Sequence, residues 1–234
     1  MSATFCIAST LHSSNPGGKK LLGELLEDAP SGFRVCYLGC YHGDDPDWAK
    51  TTVDFFKKKF GAETWTPRLT DPDLDVKEAR RQIESAEVLY LDGGDTVEGV
   101  EHTRARGLLG SLKKAGESAF LVFGLSGGAC ATGPFTIGYR DGDEAYIAPC
   151  YDMGVPYPLD VHDEQNDWPE MRHLLELVGK AKKKPDAGIV IPTGSALIVT
   201  SGGELRSYGK KRVEKRSLAK GGKWKIEELE EHDA

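Results

Sequence analysis

Short apolar runs alternate with longer segments of helical periodicity through the first half of the chain, and that alternation restricts the fold more than any other feature. Residues 4–9, 33–38, 88–91 and 119–123 read as buried strands. Residues 19–28, with leucines at 21, 22, 25 and 26, read as a helix, as do residues 46–60, which stop at Gly61. Asp71-Pro72 opens a further helix to residue 85, with Val76, Ala79 and Ile83 on one face, and residues 103–115 form the next. Strands separated by helices make βαβ units, so the expected fold is α/β, a three-layer sandwich with a mainly parallel central sheet and helices on both faces. No linker divides the chain, which predicts one domain over residues 1–214 and a charged C-terminal extension, 215–234, that is peripheral or partly mobile. Residues 138–172 are irregular and rich in Gly, Pro, Asp and Tyr; a segment of that length inside a compact domain usually has a function. A helix over 169–184 and two or three short strands over 188–209, around Gly202-Gly203, complete the pattern, and no internal repeat is visible.

Charge and cysteine usage narrow the function classes. The 234 residues carry 30 basic and 37 acidic side chains, a net charge of −7, which does not favour nucleic acid as a partner. The runs Lys57-Lys58-Lys59 and Lys182-Lys183-Lys184 read as solvated helix faces. Five cysteines, at 6, 36, 40, 130 and 150, show neither CxxC nor zinc-like spacing, the usage of a reducing compartment. The first ten residues lack the basic leader and apolar core of a signal peptide, and no stretch approaches the roughly 18 apolar residues that span a bilayer. A soluble cytoplasmic protein without membrane contact is expected.

The stretch "LVFGLSGGACATGP", residues 121–134, contains G-x-S-x-G at a strand-to-helix junction. Small neighbours let a nucleophile sit on a sharp, strained turn with the next backbone N–H aimed at the substrate. By itself the pattern also fits a Gly-rich turn. A serine needs a base to take its proton and a third group to orient that base. Of six histidines, His162 lies in the irregular polar segment, 36 residues after Ser126. Asp141, Asp143 and Glu144 lie between the two, in the order serine, acid, histidine, although "RDGDE" also fits an ordinary turn. An oxyanion needs fixed N–H donors: the Gly127 amide is one, and "LDGGDT", residues 91–96, supplies a second at Gly94. Gly93 allows close backbone approach there, and Asp95 can cap the next helix. Both motifs would lie at the carboxyl edge of a parallel sheet, where ligands bind.

Together "YLDGGDTVEGVEHTRARGLLGSLKKAG", "FGLSGGACATGP" and "IPTGSALIVTSGGELRSYG" resemble the dipeptidase E and cyanophycinase family of serine peptidases, over most of the chain. The resemblance implies a class I glutamine amidotransferase-like fold, Ser126 as nucleophile, His162 as general base, and Asp141 or Glu144 as the acid. It implies a small peptide as substrate, no cofactor, and a possible homodimer. Two departures stand out. Gly127 replaces the family's Ala, which keeps the donor and would loosen the elbow. Arg172, a candidate substrate contact, aligns better with a second, helical Arg of the family, while Pro169 occupies the position of the Arg that recognises an N-terminal Asp. The acidic residues Asp163, Glu164, Asp167 and Glu170 that follow His162 would repel an anionic side chain and suit a free amino group or a basic side chain. Cys130, a helical turn past Ser126, is expected in the core; His42 and Asp44 are possible pocket residues, and no metal site is expected. A serine peptidase acting on dipeptides or short peptides, not strictly specific for N-terminal Asp, is the first reading. The alternatives are a catalytically weak or inactive binding protein on the same fold, and an esterase.

Overall fold

The computed structural model describes residues 4–141, 143–200 and 202–232; residues 1–3 and 233–234 of the expected spans lie outside them. The chain begins with β1 (Thr4–Ala8), α1 (Pro16–Leu25), β2 (Arg34–Leu38), α2 (Pro46–Phe60), β3 (Glu63–Trp65), α3 (Val76–Glu84) and β4 (Val88–Leu91). It continues with α4 (Thr96–Ala105), α5 (Leu109–Ser118), β5 (Leu121–Leu125), α6 (Gly127–Cys130), β6 (Phe135–Tyr139), β7 (Ala145–Pro149), β8 (Leu159–Val161) and α7 (Pro169–Lys180). The remaining strands are β9 (Ala187–Ile191), β10 (Ser195–Val199), β11 (Leu205–Gly209), β12 (Glu214–Leu218) and β13 (Trp224–Glu228).

The central sheet has the order β11-β10-β1-β5-β4-β2-β3. The pairings from β1 through β5, β4 and β2 to β3 are parallel, and β10 and β11 add antiparallel strands beside β1. Alternate side chains of each strand enter different cores, as period two requires. Ile7, Leu38, Leu91 and Val122 face one core together with Ile83 of α3, Val100 of α4 and Leu112 of α5. Cys6, Tyr37, Tyr90 and Phe123 face the other, with Leu21 and Leu22 of α1 and Phe56 of α2. The chain is therefore a mixed α/β sandwich with helices on both faces of a mainly parallel sheet.

Helix starts follow their caps more closely than their apolar periodicity. Asn15 accepts the Gly18 amide ahead of Pro16, so α1 begins three residues before the expected position 19. Asp75, rather than Asp71, caps α3 through the Lys77 and Glu78 amides. Asp95 caps α4 through the Glu98 amide, and a turn at Gly107 divides the expected helix 103–115 between α4 and α5.

The C-terminal segment differs most from expectation. β12 lies between β9 and β13 in a second sheet of order β13-β12-β9-β8, so the boundary drawn at residue 214/215 falls inside a strand. Alternation that places Arg216 inward, over Trp168 and Trp224, recruits this charged stretch into the fold. The position of β8 is the functional consequence: it pairs with β9 in parallel and ends immediately before His162. Lys57–Lys59 are exposed at the end of α2, whereas Lys182–Lys184 lie in the turn after α7. No helix among the described residues is long and apolar enough to cross a membrane.

Candidate active site

β5 delivers Ser126 to the carboxyl edge of the sheet and α6 carries the chain away. The reversal forces Ser126 to φ 49° and ψ −114°, a sparsely populated conformation for a residue with a Cβ, which costs on the order of 1–3 kcal/mol. Gly128 makes the turn possible, since a Cβ there would lie 2.4 Å from the Asp92 carbonyl oxygen. His162 is also held at positive φ, with its amide bonded to the Ile191 carbonyl (3.0 Å). These two backbones place Ser126 Oγ 3.0 Å from His162 Nε2, within proton-transfer reach.

The "LDGGDT" loop follows β4 and lies against the elbow. Asp92, 3% exposed, accepts the Gly93 amide (2.8 Å) and the Tyr37 hydroxyl, and lies 3.4 Å from His42 Nε2. Its carbonyl oxygen accepts the Gly128 amide (3.0 Å), tying the loop to the elbow. Burial works against a charge on His42, yet hydrogen bonding to Asp92 and its negative charge prevail and raise the imidazole pKa. The amides of Gly94 and Gly127 have no acceptor among the described residues, and both residues line the cleft beside Ser126. Two unfilled donors beside a strained serine form an arrangement that can hold an oxyanion.

The substitution of Gly for the family's Ala at 127 does not loosen the elbow. A Cβ at Gly127 would lie 2.0 Å from the Gly94 carbonyl oxygen, so the two backbones are already in contact. Gly94 is equally confined: it has φ 131°, and a Cβ would lie 2.0 Å from the Tyr41 carbonyl oxygen. The paired glycines close the gap that a methyl group would otherwise fill.

Other residues fall elsewhere than the sequence suggests. Asp141 and Glu144 are exposed at the tip of the β6–β7 hairpin, where Glu144 faces Arg140 (3.6 Å), and neither hydrogen-bonds His162. Strand pairing fixes that tip, and spacing along the chain carries no information about it. Arg172 points away from the cleft: it pairs with Asp167 (3.1 Å), bonds the Gly222 carbonyl and stacks on Trp224, anchoring the second sheet. His42 supports Asp92 from behind the loop, and Asp44 accepts the Thr70 amide and hydroxyl, so neither lines the cleft. Gly93 lies against Ser126, 3.4 Å from its Cβ to a Cβ placed on the glycine, and Asp95 both caps α4 and lines the cleft. Cys130 is buried at the cleft floor, and burial pushes its thiol well above its usual pKa, which disfavours the thiolate a rival nucleophile requires.

The cleft, about 550 Å³, is lined by Asp95 and by Glu170 of the acidic stretch after His162, and by two acids the sequence did not place there, Glu98 and Asp160. Asp160 lies in β8, two residues before His162, and both line the cleft. Its carboxylate accepts the amides of Val161 (2.8 Å) and Met171 (3.2 Å), the second in the first turn of α7, whose N-cap Trp168 provides no side-chain acceptor. Burial and then the charge of Glu170 push Asp160 up to about 7 against those two amides. Between the ordinary carboxylate value of 3.8 and about 7, the folded protein retains a proton the unfolded chain has released. Stability from this group therefore falls as pH rises through that window, by up to about 4 kcal/mol. Asp160→Asn keeps an acceptor for only one of the two amides and, having no titratable group, is expected to remove this pH-dependent component. Denaturant titrations between pH 4 and 8 should show a flatter profile for the variant than for the parent.

Residues 8–205 match the sequence profile of peptidase family S51. No curated protein matches the sequence. The fold is similar to that of a peptidase from an acI-B1 actinobacterium, with a TM-score of 0.73 and 14% identity, over 100% of this chain and 96% of that one. It is also similar to a peptidase E-like protein of Listeria monocytogenes EGD-e, with a TM-score of 0.64 and 14% identity, over 90% of this chain and 100% of that one. These neighbours have the class I glutamine amidotransferase-like fold. With a profile match that spans both the glycine loop and the serine elbow, the chain belongs to peptidase family S51.

Proposed function

We propose that the protein is a serine peptidase of dipeptides or short peptides that works through Ser126 and His162. The observation that carries this reading is the 3.0 Å contact between Ser126 Oγ and His162 Nε2 on a strained elbow, beside two unpartnered amides. Neutral His162 accepts the Ser126 proton as the oxygen attacks the scissile carbonyl. The Gly94 and Gly127 amides take the developing negative charge, and the imidazolium returns the proton to the leaving amine. Water, activated by the same imidazole, then hydrolyses the acyl-enzyme. No lysine or arginine lines the cleft among the described residues, which argues against a requirement for N-terminal Asp. Five free cysteines, four of them buried, fit a reducing cytoplasm.

A panel of dipeptides and short peptides, followed by release of free amine, tests the reading; hydrolysis of none of them would refute it. The role of the acid is separable. Since Asp141 and Glu144 make no hydrogen bond to His162, Asp141→Asn and Glu144→Gln are each expected to lower kcat less than about tenfold. Disrupting an acid that orients the histidine of a triad costs about 10⁴ in kcat, so a loss of that size in either variant would restore that residue as the third member.

A further inference from the structure

We propose that a second pocket, on the α1–α2 side of the central sheet, binds an uncharged aromatic ring that carries a hydrogen-bond acceptor at its edge. The inference goes beyond the peptidase reading and does not depend on it. The pocket measures about 530 Å³ and is lined by the β1–α1 loop, α2 and the ends of β4 and β5. None of its lining residues lines the catalytic cleft. Its floor nevertheless reaches Asp92 and Leu125, each one residue ahead of the catalytic loops at Gly93 and Ser126.

Tyr90 supplies the polar contact. Its side chain is fully buried yet lines the pocket, and its hydroxyl has no hydrogen-bond partner among the described residues. Ser13 and Thr52 come near it, but out of bonding geometry, and their own hydroxyls bond one another (2.9 Å). Stacking between Tyr37 (ring centroids 5.7 Å apart) and Phe123 (4.9 Å) fixes the Tyr90 ring, so the hydroxyl cannot swing to another partner. Burial raises its pKa, which keeps the proton available to donate. A buried donor left unpaired is costly, and a ligand acceptor at the pocket floor removes that cost.

Trp48 supplies the apolar face. At 58% it is the most exposed large apolar side chain among the described residues, and it lines the same pocket. His42 flanks its ring (centroids 5.2 Å apart), which limits its rotation. Such an indole favours an aromatic partner through offset stacking. Charge selects further. The ionisable lining residues besides Tyr90 are His12, Asp47 and Asp92, with no lysine or arginine, so an anion is repelled. At the floor both Asp92 carboxylate oxygens already accept protein donors, the Gly93 amide and the Tyr37 hydroxyl, so a cation finds little free charge there.

The test titrates the full chain with 4-hydroxybenzamide by calorimetry, alongside 4-hydroxybenzoate, which is anionic, and cyclohexanecarboxamide, which has no aromatic face. Millimolar binding of 4-hydroxybenzamide is expected, with the other two weaker by about fivefold or more. Trp48→Ala and Tyr90→Phe are each expected to weaken its binding by about fivefold or more. Tyr90→Phe has a second readout that a structural hydroxyl would fail: its Tm should be no lower than the parent's, because no internal hydrogen bond is lost. Absence of binding, equal binding of the three compounds, undiminished binding in either variant, or a Tm of Tyr90→Phe several degrees below the parent's would each overturn the proposal. None of these results bears on hydrolysis at Ser126, which the peptide panel tests separately.

Discussion

Ser126→Ala is expected to lower kcat by about 10⁴–10⁶ while leaving the fold and substrate binding in place. The hydroxyl has one side-chain hydrogen-bond partner among the described residues, His162, and its removal leaves no atom that can form the acyl-enzyme. The backbone at 126 should be relieved slightly at most, because Ala also carries a Cβ and shares the strain at φ 49°. Residual hydrolysis would come from the two amides and from substrate positioning, so the variant should remain measurably better than water. Burst kinetics with an activated ester, followed by steady-state turnover of the best peptide, would check both expectations.

Gly127→Ala is expected to be damaging too, to a smaller degree and for a different reason. The added methyl would fall 2.0 Å from the Gly94 carbonyl oxygen, a backbone atom with no rotamer to change. Relief requires the glycine loop to move away from the elbow. That loop is held on its other side by the Asp95 amide on the Tyr41 carbonyl (2.7 Å) and by the Asp92 carboxylate on the Gly93 amide. Either the Gly94 amide leaves the position it needs or these bonds break. Loss of one oxyanion donor costs about 10²–10³ in kcat. A drop of that size in kcat with little change in KM is expected, accompanied by a lower Tm. Unchanged kcat would mean that the two amides do not act together on the substrate.

The parts of the fold that read clearly from sequence are those set by local periodicity. The parallel strands of the central sheet announce themselves as apolar runs, with Tyr37, Tyr90 and Phe123 on one face and Leu38, Leu91 and Val122 on the other. Residues 214–228 were obscured because β12 and β13 alternate charged residues with few apolar ones, and the pairing of β12 to β9 is a long-range event. At the site, Ser126, Gly127 and Gly94 are legible because each belongs to a loop that directly follows a strand of one parallel sheet, which fixes their common edge. His162 joins them because β8, in the second sheet, pairs with β9 and ends beside the elbow. Asp141 and Glu144 do not, since a hairpin tip is positioned by cross-strand register. The acidic run after His162 was visible as charge; that Asp160 and Glu170 enter the cleft while Asp167 turns outward to Arg172 and Arg216 depends on β8 and α7 meeting in space. Charge composition thus announced a bias, and topology decided which carboxylates express it.

The most direct test of Ser126 as the nucleophile is covalent. Treated with a fluorophosphonate, the protein is expected to gain one phosphonyl group, mapped by peptide mass spectrometry to Ser126, and the Ser126→Ala variant to gain none. Labelling that persists in the variant, or that falls on Cys130 or another side chain, would contradict a peptidase built on this elbow.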